Sequence, residues 1–89
     1  MAKLHFSLVA PERELYAGEV DQVVAPGVEG QFGVLAGHAP FMTTLAEGEV
    51  VVMDGSNRRT FNIRGGFADV TPQGLTILAE HAEEADAAA

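Results

Sequence analysis

The chain has 89 residues, 13 acidic against 5 basic side chains for a formal charge of −8, no cysteine, no tryptophan and 47% hydrophobic residues. One small domain is expected, its core built from apolar packing alone, because there is neither a disulfide framework nor a Cys/His ligand set to staple it. The acidic balance excludes nucleic acid as a partner and argues against direct binding to an anionic membrane surface, since both depend on clustered Lys and Arg.

The N-terminal stretch MAKLHFSLVAPERE carries one lysine and an apolar run broken by His5 and Ser7, so it reads neither as a secretory signal nor as an anchor. The absence of cysteine fits a reducing compartment, and the cytoplasm is expected. Fourteen Gly and Pro residues cut the chain into mostly strand-sized pieces. In the first, Leu4, Phe6 and Leu8 point one way while Lys3, His5 and Ser7 point the other, the period of a half-buried strand. The segment 25–40, APGVEGQFGVLAGHAP, places four of the ten glycines between positions 27 and 37, interleaved with Val28, Phe32, Val34 and Leu35. Those apolar residues can pack inward or onto a partner, and the residues alone leave both readings open.

Further along, Ala46-Glu47-Gly48 is expected to be a joint between strands. Asp54-Gly55-Ser56-Asn57 has the composition of a hairpin loop between 49–53 and 58–63. Phe61 and Ile63 alternate with Thr60, Asn62 and Arg64. Thr71-Pro72-Gln73-Gly74 has Pro at the second turn position and should join 66–70 to 75–79. Residues 1–80 are expected to form the domain. Residues 81–89 are expected to be an acidic, alanine-rich tail, either a frayed helical stub or disordered. Many short strands with closely spaced turns indicate an all-β sandwich or barrel.

The chain offers little for catalysis. Its only serines, Ser7 and Ser56, fall in a strand and a turn, outside any Gly-x-Ser-x-Gly elbow. His5, His38 and His81 lack local ligand spacing, so no metal is expected. Gly27 to Gly33 lacks the Gly-Lys-Ser/Thr ending of a phosphate loop. Carboxylate pairs such as Glu12/Glu14 and Glu47/Glu49 read as solvated faces. A biotinyl or lipoyl carrier needs a lysine at a hairpin tip, and the one lysine is Lys3. No catalytic residue and no cofactor is therefore expected.

Several segments together resemble the epsilon subunit of the F-type ATP synthase: LVAPERELYAGEVDQV at 8–23, APGVEGQFGVLAGHAP at 25–40, Thr43-Thr44-Leu45 with Gly48, GGFADV at 65–70 and LTILAEHA at 75–82. The likeness covers roughly positions 4 to 82, the combination of the EGxFGVxxGHAP run with a later Gly-Gly-Phe being specific. It implies a flattened β-sandwich of about ten short strands. It further implies a non-catalytic central-stalk subunit at the cytoplasmic face of the bacterial inner membrane, docking the gamma subunit to the c-subunit ring so that proton-driven rotation is coupled to ATP synthesis.

On that likeness Glu29, Gly30, Gln31 and Phe32 match the loop that touches the c-ring, and Ala10, His38 and Thr43 match the gamma-facing side. Ala10 departs from the small polar residue that some members have. Membrane association would be peripheral, through the complex, and the isolated chain a monomer. Typical members continue into a helical hairpin that inhibits hydrolysis and in some cases binds ATP; the sequence stops at Ala89, so a short form without those helices is expected. The alternative is a free-standing β-sandwich acting as a protein-interaction or small-ligand adaptor. The 89-residue chain is expected neither to bind ATP at cellular concentration nor to inhibit the soluble catalytic head strongly. A thermal shift with ATP and an ATPase titration check both, and potent inhibition would put the regulatory element inside the sandwich.

Overall fold

A computed structural model describes residues 3–37 and 40–85. Alternation in the sequence becomes eight strands and no helix among those residues: β1 Leu4–Ala10, β2 Arg13–Val20, β3 Gln22–Gly27, β4 Gly30–Leu35, β5 Phe41–Asp54, β6 Asn57–Val70, β7 Gly74–Ala79 and β8 Ala82–Glu84. Hydrogen bonding runs in the order β2-β1-β7-β6-β5-β3-β4, with β8 on β6. All pairs are antiparallel except β1 with β7. The expected turns at 54–57 and 71–74 are in place, the latter closed by bonds between Thr71 and Gly74 in both directions at 2.8 and 3.1 Å.

This one path folds into two layers because β5 and β6 serve both. The first arm of β5 (41–45) and the second arm of β6 (66–70) lie beside β7, β1 and β2; the other two arms lie between β3 and β8. Counting the arms separately recovers the ten short strands expected. Pairing of β5 with β6 keeps one register from Phe41↔Val70 to Asp54↔Asn57. What changes is the inward face. In β5 the less exposed alternate positions are 41, 43 and 45, then 48, 50 and 52, with Val51 covered as well; in β6 they are 61 and 63, then 66, 68 and 70. Both strands therefore switch parity at the same level, a bend that lets each arm face the common core.

That core joins Leu4, Phe6 and Leu8 of β1, Val23 and Ala25 of β3, Val50 and Val52 of β5, Phe61 and Ile63 of β6, and Leu75 and Ile77 of β7. Full burial of each Leu, Ile, Val or Phe contributes about 1.5–3 kcal/mol. Tyr16 of β2 bridges the layers, its ring 5.6 Å from Phe6 and 6.1 Å from Phe61.

Two expectations are corrected. Ala46-Glu47-Gly48 is not a joint between separate strands: β5 continues through it, bending there. Gly48 is there for close approach, since a Cβ would sit 2.9 Å from Pro26 Cβ. Pro26 in turn lies where the pairing of β3 with β5 slips between Val24 and Gly27, the place in a sheet where a missing N–H is tolerated. Secondly, the acidic stretch after position 80 opens with a strand. Ala82, Glu83 and Glu84 pair with Ile63, Asn62 and Phe61, so the stretch completes the second layer at least as far as Glu84. Residues 86–89 of that stretch lie outside the described residues.

Gly66 is the tightest point of the bend. At φ 133° a Cβ there would lie 2.2 Å from the Leu78 carbonyl oxygen and 2.8 Å from the Ala79 Cα, backbone that cannot yield. Gly66→Ala should therefore cost at least about 2 kcal/mol of stability. Gly18→Ala, whose new Cβ would meet only the Tyr16 ring at 3.7 Å, should stay within about 0.5 kcal/mol. Thermal melts of the two variants check the contrast.

Candidate docking surface

Two of the proposed contact groups can be located. Glu29, Gly30, Gln31 and Phe32 sit on the β3–β4 hairpin, whose loop is the pair Val28-Glu29 because Gly27 stands opposite Gly30. Glu29, Gly30 and Gln31 are exposed. Phe32 is half-buried and meets Phe41 edge-on, ring centroids 5.5 Å apart and 71° between planes. The tip is held down by the Val28 N–H, which donates to the Thr44 carbonyl at 3.1 Å. The hairpin thus divides its labour, with Phe32 anchoring it and Glu29 and Gln31 free to meet a partner.

The gamma-facing set is less uniform. Thr43 pairs with Ala68, Ala68 with Ile77 and Ile77 with Leu8, so Thr43 belongs to an inward-facing row, half-buried, its hydroxyl donating to the Thr44 carbonyl at 3.4 Å. Ala10, at the end of β1, is 5% exposed and has almost no surface to offer. His38 lies outside the described residues.

On the opposite face of the same layer lies a row that sequence reasoning missed. Val9 pairs with Leu78, Leu78 with Phe67 and Phe67 with Thr44, with Val28 bonded on to Thr44. Phe67 and Leu78 are 55% and 54% exposed, and Met42 in the next row is 69% exposed. The signal was in the sequence: Phe67-Ala68 and Ile77-Leu78 put apolar residues at adjacent strand positions, so one of each pair must face outward. Contiguous apolar surface of this kind marks an interaction face.

Two ion-pair groups flank the β5–β6 turn. The Lys3 ammonium binds Asp54 and, at 3.2 Å, Asp21. Asp21 also accepts the Gly55 N–H at 2.6 Å. Its carboxyl is held below the ordinary aspartate value first by that backbone donor and then by Lys3, while the two carboxylates raise the Lys3 ammonium. Two pairs along the ladder from the same turn, Arg59 grips Glu84 through two bonds of 2.8 Å and lies 5.1 Å over the Tyr16 ring and 5.4 Å over Phe61. This fork lowers the Glu84 carboxyl and raises the guanidinium.

A cleft of about 270 Å³ beside β8 is lined by Glu47, Asn62, Arg64, His81 and Glu83 among others. Its polar side chains contact each other, Arg64 with Glu47 at 3.7 Å and the His81 ring with Glu83 at 3.3 Å. Among the described residues no group of three or more His, Cys, Asp or Glu is placed to hold a metal ion.

Fold and surface define a small β-sandwich whose prominent features are an apolar outer face and an exposed hairpin tip. Residues 3–85 match the family described as ATP synthase, Delta/Epsilon chain, beta-sandwich domain. The ATP synthase epsilon chain of Caulobacter vibrioides is 75% identical over 85 residues, which make up 96% of this chain and 99% of that one. Those of Hyphomonas neptunium and Maricaulis maris are 68% and 64% identical over 81 residues, and this chain spans 60% of the length of each. A chain of the Euglena gracilis mitochondrial ATP synthase, solved as an OSCP/F1/c-ring assembly, superposes with a TM-score of 0.87 at 29% identity, covering 94% of this chain and 54% of that one. A chain of the Tetrahymena thermophila central stalk and c-ring, 17% identical with a TM-score of 0.77, shares the fold; the match covers 92% of this chain and 66% of that one. This chain belongs to the ATP synthase delta/epsilon family.

Both lowered carboxyls set an acid limit. A group whose pKa falls on folding stabilises the fold fully above its unfolded value, and that contribution drains as pH drops through the folded value. Asp21→Asn should therefore lower the melting temperature at neutral pH, and the gap to the parent chain should close as pH falls below the ordinary aspartate range. Melts from neutral to strongly acidic pH check this; a gap that stays constant throughout would mean that Asp21 acts by shape alone.

Proposed function

We propose that the chain is a non-catalytic subunit of the ATP synthase rotor, a rigid coupling piece between the gamma subunit and the c-subunit ring at the cytoplasmic face of the bacterial inner membrane. Its association with the membrane is peripheral and goes through the complex. The observation that carries this reading is the 29% identical Euglena chain of the same fold, which is part of an assembly containing F1 and the c-ring.

The surface supports a division of contacts. Glu29, Gly30 and Gln31 form a short, polar, exposed tip suited to the polar loops of a ring, with Phe32 and the Val28–Thr44 bond stiffening it from behind. The likeness gives gamma Ala10, His38 and Thr43; of these Thr43 is half-buried in an inward-facing row and Ala10 is buried, so both serve by leaving room rather than by making broad contact. The apolar face at Met42, Phe67 and Leu78 supplies the area a permanent stalk contact needs. Torque passes through such a piece only if it does not shear, and strands shared between both layers resist shear better than two sheets joined by loops. Co-purification with gamma from solubilised membranes tests the reading directly; a chain that leaves the complex intact and free of it would sink the proposal.

Two hairpin variants separate anchoring from docking. Phe32→Asp loses the Phe41 contact and sets a charge against the core, so it should cost at least about 2 kcal/mol and partly unfold the domain. Gln31→Ala should leave the melting temperature nearly unchanged and weaken retention on the ring by about 0.5–1.5 kcal/mol, one hydrogen bond's net worth. Melting temperature and retention on detergent-solubilised complex are measured for both; equal unfolding by the two would make the hairpin core rather than docking surface.

A further inference from the structure

β4 ends the strand path, and among the described residues it has a strand neighbour on one side only. The opposite end of the path, β2, carries Arg13, Glu14 and Glu19, and its pairing with β1 is broken by a register shift between Leu8 and Val9. β8 has three residues, two of them glutamates. Charge, bulges and shortness are how exposed edges avoid pairing with other chains. β4 has none of them. Its sequence GQFGVL holds no charge and no proline, and its register with β3 is unbroken over all six residues.

Which of its backbone groups are free follows from the hairpin. With a two-residue loop, Gly27 and Gly30 form the closing pair that exchanges both hydrogen bonds, and the bonded pairs then alternate along the ladder. Pro26, which has no N–H to exchange, stands opposite Gln31 in agreement with that phase. Gln31, Gly33 and Leu35 therefore turn their N–H and C=O groups away from β3, toward the open side. Phe32, the neighbour that faces inward, is still only partly covered.

We propose that Gly30–Leu35 accepts an extended, basic segment of a neighbouring subunit as an added strand, an inference that rests on the stalk-subunit reading. Main-chain bonds to Gln31, Gly33 and Leu35 give the attachment, and alternate side chains of the incoming strand close over Phe32. Charge selects the occupant. The chain carries −8 overall, and the exposed Glu29 stands at the tip end of the edge. A second copy would bring the same excess of negative charge to this edge and be repelled, whereas a cationic segment is drawn in. The edge starts at the proposed ring-contacting tip, so an added strand there would tie the tip to the body of the stalk.

The test compares amide hydrogen exchange of the chain alone and within detergent-solubilised ATP synthase, together with retention of Gly33→Pro and Gly33→Ala on that complex. Ala keeps the outward N–H and Pro removes it. A Cβ at 33 comes closest to the end of the Gln22 side chain, at 3.2 Å, with the Val23 carbonyl oxygen and Val24 Cγ2 at 4.0 Å. In the complex, exchange at Gln31, Gly33 and Leu35 should slow by about tenfold or more, and Gly33→Pro should be retained about tenfold less well than Gly33→Ala, the worth of one to two backbone bonds. Unchanged exchange in a complex that holds the parent chain would overturn the added strand while leaving the stalk reading intact. Equal retention of the two variants would do the same, and the exchange comparison needs no variant should Gly33→Pro fail to fold. Loss of the parent chain itself from the complex would overturn both. Slow exchange at these amides in the isolated chain, with sedimentation as a dimer, would assign the edge to a second copy and overturn the basic partner.

Discussion

The fold depends on one constraint: β5 and β6 must stay in register over their whole length while each changes the face it turns inward. Thirteen cross-strand pairs from Phe41↔Val70 to Asp54↔Asn57 hold the register. Every other strand hangs from one arm or the other. β7, β1 and β2 continue the layer of the 41–45 and 66–70 arms, and β3, β4 and β8 continue the layer of the 47–54 and 57–64 arms. Had the bend been a loop, the two layers would be free to slide. Because both strands run through it in one register, with only the Ala46–Gly65 level unpaired, the apolar contacts of Phe6, Tyr16 and Phe61 meet in one arrangement.

Charge is arranged around this core rather than within it, and no polar or charged side chain is among the buried residues described. Lys3, Arg59 and Arg64, three of the five cations, are matched with carboxylates. Two of these pairings close the strand system. Lys3 ties the start of β1 to the β2–β3 junction and the β5–β6 turn, and Arg59 ties β8 to β6 while covering Tyr16. Exposed ion pairs are individually weak. These two gain from company, Asp21 through the Gly55 N–H and Arg59 through its fork and two ring faces. The remaining excess of acid is solvated, which leaves the apolar outer face and the uncharged β4 edge as the surfaces able to lose water on contact.

Much of this was legible in the sequence because strands report themselves by alternation. Leu4, Phe6 and Leu8, Phe61 and Ile63, and Leu75 and Ile77 are buried as their spacing requires, and the turns at 54–57 and 71–74 follow from their Gly, Pro and Asn. The misreading at 46–48 has a physical source: glycine marks a turn and a close approach with the same letter, and only the position of Pro26 tells which. The acidic stretch after 80 misled similarly, since three residues carry too short a period to register as a strand, and β8 exists because β6 offers it an edge and Arg59 a counter-charge. At the candidate site, the exposure of Gln31, the anchoring of Phe32 and the burial of Ala10, in phase with Leu4, Phe6 and Leu8, all follow from alternation.

By itself, then, the sequence determined what local chemistry controls: the all-β character, the position of two hairpin turns, which residues of most strands face inward, the acidic charge and the family likeness. Tertiary structure decided that β5 and β6 are shared between layers, that Gly48 and Gly66 are points of backbone contact, that Phe67, Leu78 and Met42 form one apolar face, and that β4 is left as an uncharged edge. The reason is range. Alternation and turn propensity act between residues a few positions apart, while layer, face and edge are set by pairings such as Leu8 with Ile77, which link residues far apart in the chain and leave no periodic trace in either segment.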